Sequence, residues 1–165
     1  MPKTTPVGVR MRGLWERLSP LPGGKTLFSG LVGVTIPYTG SMRARVQELT
    51  PGHAIVHLPD RRRVRNHLRS VHAIALANLA EYTTGLATLS GMPDTARAIL
   101  VGLEIEYVKK ARGTIIGECK TDIPETDDRR EYRVKVTLSD TAGDIVATAH
   151  ARWLIGPQEL KTNDS

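Results

Sequence analysis

The longest apolar segment of the chain, Val71 to Ser90, follows an arginine cluster and carries one formal charge, Glu81. Its length and its Ala, Leu and Ile on nearly every face predict a helix covered on several sides. Ser70 is placed to cap its start, and Gly91 followed by Pro93 to end it. Upstream, alternation begins near Ser41, where Met42, Ala44 and Val46 alternate with Arg43, Arg45 and Gln47. The turn Thr50-Pro51-Gly52-His53 then leads to Ala54, Val56 and Leu58, predicting an antiparallel hairpin. Downstream, four strands are predicted: around Val101–Tyr107, Thr114–Lys120, Glu131–Ser139 and Ile145–Ile155. In the last, Ile145, Ala147, Ala149, Ala151 and Trp153 share one side.

The order is therefore two strands, one long helix, then four strands on short connections, which predicts antiparallel neighbours. A sheet of about six antiparallel strands with one helix must curl around that helix to bury it, an α+β fold. The expected organisation is an N-terminal leader over 1–22 with a short helix, one domain over 23–157 and a polar tail over 158–165. In the leader, Leu14, Trp15 and Leu18 form an apolar face that Ser19-Pro20 and Pro22 bring to a stop. Gly23-Gly24-Lys25-Thr26 lacks both the earlier glycine and the preceding strand of a phosphate loop.

Composition narrows the class. A length of 165 residues suits one domain with a real core. A single cysteine, Cys119, rules out an internal disulfide and a cysteine metal cluster, and packing in a strand is its expected role. His67 and His72 lie five apart with no completing carboxylate, so no metal site is expected. The polar residues of Val71–Ser90 argue against a membrane span. No secretory signal stands out, and the expected location is the cytoplasm, although the basic, acid-poor leader leaves an organelle transit peptide open. Most of the +6 net charge lies in one block: Arg61, Arg62, Arg63, Arg65 and Arg69 fall within ten residues that hold no acid. That block is a local anion site or a solvated face. No aromatic residues interleave with it, so nucleic-acid binding is not expected.

Burying a lone carboxylate is costly unless it is neutralised, paired or used, which marks Glu81 as a candidate active-site group. Asn66 precedes His72 by six residues, and His72 precedes Glu81 by nine. This pattern resembles the hotdog-fold acyl-thioesterase superfamily, in which Asn or Gln, then His-Gly-Gly, then an acid on the helix form the motif. The spacing is similar to the phenylacetate-pathway and aryl-thioesterase branches. The stretch Arg65–Ala73 also looks like a bacterial hotdog branch of unknown function, and the likeness extends over about residues 30–157.

The resemblance implies an acyl-CoA thioesterase-like hydrolase with coenzyme A thioester as substrate and no other cofactor. Asn66 and the Ala73 N–H would hold the carbonyl, Glu81 would act as base or nucleophile, and His72 would orient the turn at the helix start. Arg61, Arg62, Arg63, Arg65 and Arg69 are the candidates for coenzyme A phosphates. If that segment is extended, only alternate members point one way, so two or three should matter.

Ala73 and Glu81 lie roughly 12 Å apart along one helix axis, so both reach one carbonyl only if they come from different subunits. A homodimer or homotetramer with shared sites follows, as the family resemblance also implies. Ala73 and Ile74 replace the two glycines of the motif, and no polar Ser or Thr stands near Ile99-Leu100-Val101. These departures motivate an alternative, a non-catalytic acyl- or acyl-CoA-binding hotdog protein.

Overall fold

The computed structural model describes residues 6–122 and 125–158. Three helices come first: α1 (Val7–Leu18), α2 (Gly24–Thr35) and the short α3 (Pro37–Ser41). The hairpin β1 (Arg45–Thr50) and β2 (His53–Leu58) follows, then a 3-10 turn at Arg62–Val64 and the long helix α4 (Ala73–Gly91). The chain closes with β3 (Ala96–Tyr107), β4 (Ile115–Lys120), β5 (Arg130–Ser139) and β6 (Ile145–Pro157). All six strands form one antiparallel sheet in the order β1-β2-β4-β5-β6-β3, wrapped around α4.

The contact between α4 and the concave face is made by small residues. Ala147, Ala149 and Ala151 of β6 are buried in the same core cluster as Leu79, Ala80 and Ala87 of the helix. A Cβ on Gly117 of β4 would lie 2.7 Å from Thr83 Oγ1, so glycine is required for the helix to sit this close. That hydroxyl is itself committed, donating to the Leu79 carbonyl at 2.7 Å. Val46, Val56, Leu58, Ile115, Val134, Val136 and Leu138 fill the remaining space.

Three expectations change. Helix α4 starts at Ala73, with His72 rather than Ser70 as its cap. Ser70 is consumed one step earlier, where its hydroxyl donates to Asn66 Oδ1. Strand pairing begins at Arg45, because the chain through Ser41 is helix α3, although Met42, Ala44 and Val46 are buried as their alternation predicts. The short β3–β4 connection does not join neighbours: β3 pairs with β6 at the far edge. Residues 108–114 instead cross the end of α4, where the Ala111 carbonyl accepts from Val71 N–H at 2.8 Å and Gly113 N–H donates to Asp60.

The N-terminal segments pack on the same core. Met11 is buried, Leu14, Trp15 and Leu18 lie against the core cluster, and Trp15 meets fully buried Phe28 of α2 edge-on at 5.0 Å.

Gly117→Ala tests the helix–sheet contact. Strand propensity alone would favour alanine over glycine. The clash with Thr83 reverses the sign, and urea denaturation should report a loss of about 1–3 kcal/mol.

Candidate active site

Glu81 sits midway along α4, where Tyr82 and the next turn are buried. Its backbone is fixed by a short relay: Trp153 Nε1–H donates to Thr84 Oγ1 at 3.1 Å, and the Thr84 hydroxyl donates to the Glu81 carbonyl at 3.0 Å. The side chain is half-buried and has no hydrogen-bond or ion-pair partner among the described residues. Desolvation raises its pKa above the ordinary glutamate value.

The carboxylate opens onto a cavity of about 870 Å³. One wall is α4 with Leu86 and Leu89, backed by Trp153; the other comes from α1 and α2, including Met11, Leu14 and Leu31. Arg10 and Arg17 also line it but lie beyond ion-pair reach of Glu81. The α1 and α2 walls are absent from the sequence reading. Their signal is present in α2 as the helical spacing of Leu27, Leu31 and Val34, diluted by four glycines between Gly23 and Gly33.

Asn66, His72 and Ala73 gather at the start of α4. Asn66 Oδ1 accepts from Leu68 N–H at 2.9 Å, Ser70 N–H at 3.2 Å and the Ser70 hydroxyl at 3.1 Å. These donors fix the amide orientation and leave its Nδ2–H₂ group without a partner among the described residues. Arg69 completes the turn in the left-handed region at φ 57°.

His72 Nδ1 accepts from Ile74 N–H at 3.1 Å, which gives the histidine a capping role. The Ala73 N–H has no partner among the described residues, while its carbonyl accepts from Tyr107 Oη–H at 3.0 Å. Tyr107 is a further positioning contact that strand alternation did not identify. Ile74 stands beside this donor with its side chain 56% exposed. Within one subunit the fold brings Asn66, His72 and Ala73 together and leaves Glu81 two turns further along α4.

The arginines divide. Arg61 turns inward and donates to the Ser41 and Met42 carbonyls. Arg65 pairs with Asp60 at 2.6 Å, which holds that carboxyl below its usual range. Arg62, Arg63 and Arg69 are exposed and unpaired among the described residues. The segment is a 3-10 turn, so the expected extended alternation does not apply. No group of three His, Cys, Asp or Glu side chains among the described residues is arranged to hold a metal. None of the described helices is long and apolar enough to cross a membrane.

The profile of a family described as a domain of unknown function, DUF4442, matches residues 24–155. No curated protein matches the chain. Among solved structures, a structural-genomics protein is 29% identical, with 90% of this chain and 99% of that one covered at a TM-score of 0.79. A Pseudomonas aeruginosa protein of unknown function, described as a probable thioesterase, is 24% identical over 84% of this chain and 97% of its own, with a TM-score of 0.73. A thioesterase family protein from Silicibacter pomeroyi is 18% identical over 79% and 96%, with a TM-score of 0.68. Matched over most of its length, and with one long helix wrapped by a six-stranded antiparallel sheet, the chain belongs to the DUF4442 family and has the hotdog fold.

Proposed function

We propose that the protein hydrolyses acyl thioesters as a homodimer, with Glu81 of one subunit working against Asn66 and Ala73 of the other. The observation that carries this reading is the Glu81 carboxylate, without a partner among the described residues, on the wall of a large apolar cavity, its pKa raised by desolvation. Such a group is available to take a proton from water. The water oxygen then attacks the thioester carbonyl, and the protonated carboxyl returns its proton to the departing thiolate. Negative charge developing on the carbonyl oxygen is met by the Ala73 N–H, with the α4 dipole behind it, and by the Asn66 amide.

Two groups roughly 12 Å apart along one helix do not converge on one carbonyl, which supports assembly of the site from two chains. The twelve-residue strand β3 supports it too: it is a sheet edge with Ile99 and Val101 about half exposed. A long apolar edge of this kind accepts a second strand. Arg62, Arg63 and Arg69, exposed and unpaired among the described residues, stand near the helix start as cations for the phosphates of coenzyme A. A second reading, acyl binding without turnover, draws on the apolar Ile74 side chain beside the proposed oxyanion donor.

Glu81→Gln should lower kcat on an acyl-CoA panel by about 100-fold or more. Turnover equal to wild type in that variant would sink the mechanism. Wild-type kcat should rise with pH through an apparent pKa above the ordinary glutamate value, because the carboxylate is the working form.

Asn66→Asp keeps the acceptor oxygen of the turn and removes the donor amide, so it too should be inactive but folded. Mixing dissociated and reassociated Glu81→Gln and Asn66→Asp subunits should then restore about a quarter of wild-type activity, since random heterodimers contain one intact site each. No recovery, with the heterodimer shown by mass, would place both groups in one subunit.

The raised pKa also sets a stability difference. The folded chain binds the Glu81 proton more tightly than the unfolded chain, whose glutamate titrates near about 4.3. Ionisation therefore costs stability, absent below the unfolded pKa and complete above the folded one. Glu81→Gln should melt above wild type at neutral pH, and the gap should close as pH falls toward about 4.

Replacing Arg62 and Arg63 with Ala should raise KM for an acyl-CoA roughly tenfold, the size of losing a charge-assisted contact. A short N-acetylcysteamine thioester, which has no phosphates, should be unaffected.

A further inference from the structure

The cavity beside Glu81 is much larger than the reaction centre requires. At about 870 Å³ it approaches the upper end of small-molecule sites, roughly 300–1,000 Å³. An apolar cavity of about 150 Å³ already holds a benzene ring. An aryl group at Glu81 would therefore cover only part of the apolar walls of this half-open cavity. Those walls are mainly aliphatic: Val7, Met11, Leu14, Leu31, Leu86 and Leu89. A methylene occupies about the volume of a water, roughly 30 Å³, so a chain of about fourteen carbons would fill about half the cavity.

The outer wall belongs to α1, and α1 lies outside residues 24–155 that match the family. Its cavity-facing side has a notch. Gly13 lines the cavity between Leu14 and the side chains of Arg10 and Arg17, and a Cβ built there meets no atom within 4 Å. Glycine in the middle of a twelve-residue helix costs about 1 kcal/mol relative to alanine. No backbone contact or positive φ requires it here. What its missing side chain provides is room on the cavity side.

We infer that this cavity holds a long aliphatic acyl chain, and that the empty position at Gly13 of α1 sets how long a chain it accepts. The inference rests on the thioesterase reading for the head of the ligand. The chain-binding step itself is independent of turnover. Each methylene buried in the cavity should tighten binding about fourfold, until the chain reaches the α1 wall.

The test is calorimetric titration with non-hydrolysable alkyl-CoA thioethers of graded length, with free fatty acids of the same lengths as an arm independent of the carrier. Wild type should bind more tightly with each added methylene through the long-chain range, and weakly with a phenylacetyl-sized group. Gly13→Phe places a ring at this position and should fold, since helix propensity improves and its Cβ has open space around it. It should bind the longest ligands at least about tenfold more weakly, the worth of about two buried methylenes, while short ones are unchanged.

Gly30→Phe is the control for bulk. Gly30 lies on α2, is exposed, has open space at its Cβ and does not line the cavity, so the length profile should match wild type. An unaltered profile in Gly13→Phe, no length dependence in wild type, or tighter binding of the aryl ligand would overturn the inference. Length-dependent binding that Gly13→Phe shortens, in a protein that hydrolyses no acyl-CoA, would leave the inference standing and remove the hydrolase reading.

Discussion

Gly117, the alanines of β6 and the small residues of α4 let a helix lie almost directly on a curved sheet, and the remaining architecture follows from that contact. A side chain at Gly117 would meet Thr83, whose hydroxyl is already bonded to its own helix. The helix therefore has one depth and one rotation on the sheet. Interiors packed to this density do not slide continuously, so each α4 side chain has a defined neighbour. The Trp153–Thr84–Glu81 relay adds a polar link between β6 and the turn that carries the carboxylate.

With the rotation fixed, Glu81 points away from the sheet and toward the N-terminal helices. There it loses part of its hydration without gaining a partner among the described residues. The same desolvation that makes the carboxylate a better proton acceptor makes its ionised form a burden on the fold, so its proton affinity and its cost to stability have one physical origin. At the start of α4 the polar groups are treated differently. Asn66 Oδ1 is saturated by the turn and His72 is spent on the cap, which leaves one oriented amide and one backbone N–H free. The crossing segment 108–114 and Tyr107 hold that end in place from the sheet side.

Much of this was legible in the chain. The lone charge of Val71–Ser90 marked both the helix and Glu81, and the alternation of Val134, Val136 and Leu138, or of Ala147 to Trp153, marked inner faces of strands. The turn Thr50–His53 was legible because Pro-Gly chemistry is local. Helices α2 and α3 were not, since a glycine-rich helix has weak propensity and its apolar spacing is broken. The cap shifted from Ser70 to His72 because Ser70 had a competing acceptor in Asn66, four residues back. Arg61 and Arg65 left the anion cluster for partners at Met42, Ser41 and Asp60, contacts that a charge count does not contain.

The sequence by itself determined the long helix, the six strands, their order, the half-buried carboxylate and the hotdog resemblance, because periodicity, turn residues and motif spacing are properties of neighbouring positions. The tertiary structure decided that β3 leaves β4 to pair with β6, that Arg62, Arg63, Arg69 and the Asn66 amide find no partner among the described residues, and that α1 walls a cavity beside Glu81. Each of these depends on which groups far apart in the chain reach one another first. A hydrogen-bond donor or a wall of a cavity is defined by what stands opposite, and only the folded chain places that opposite side.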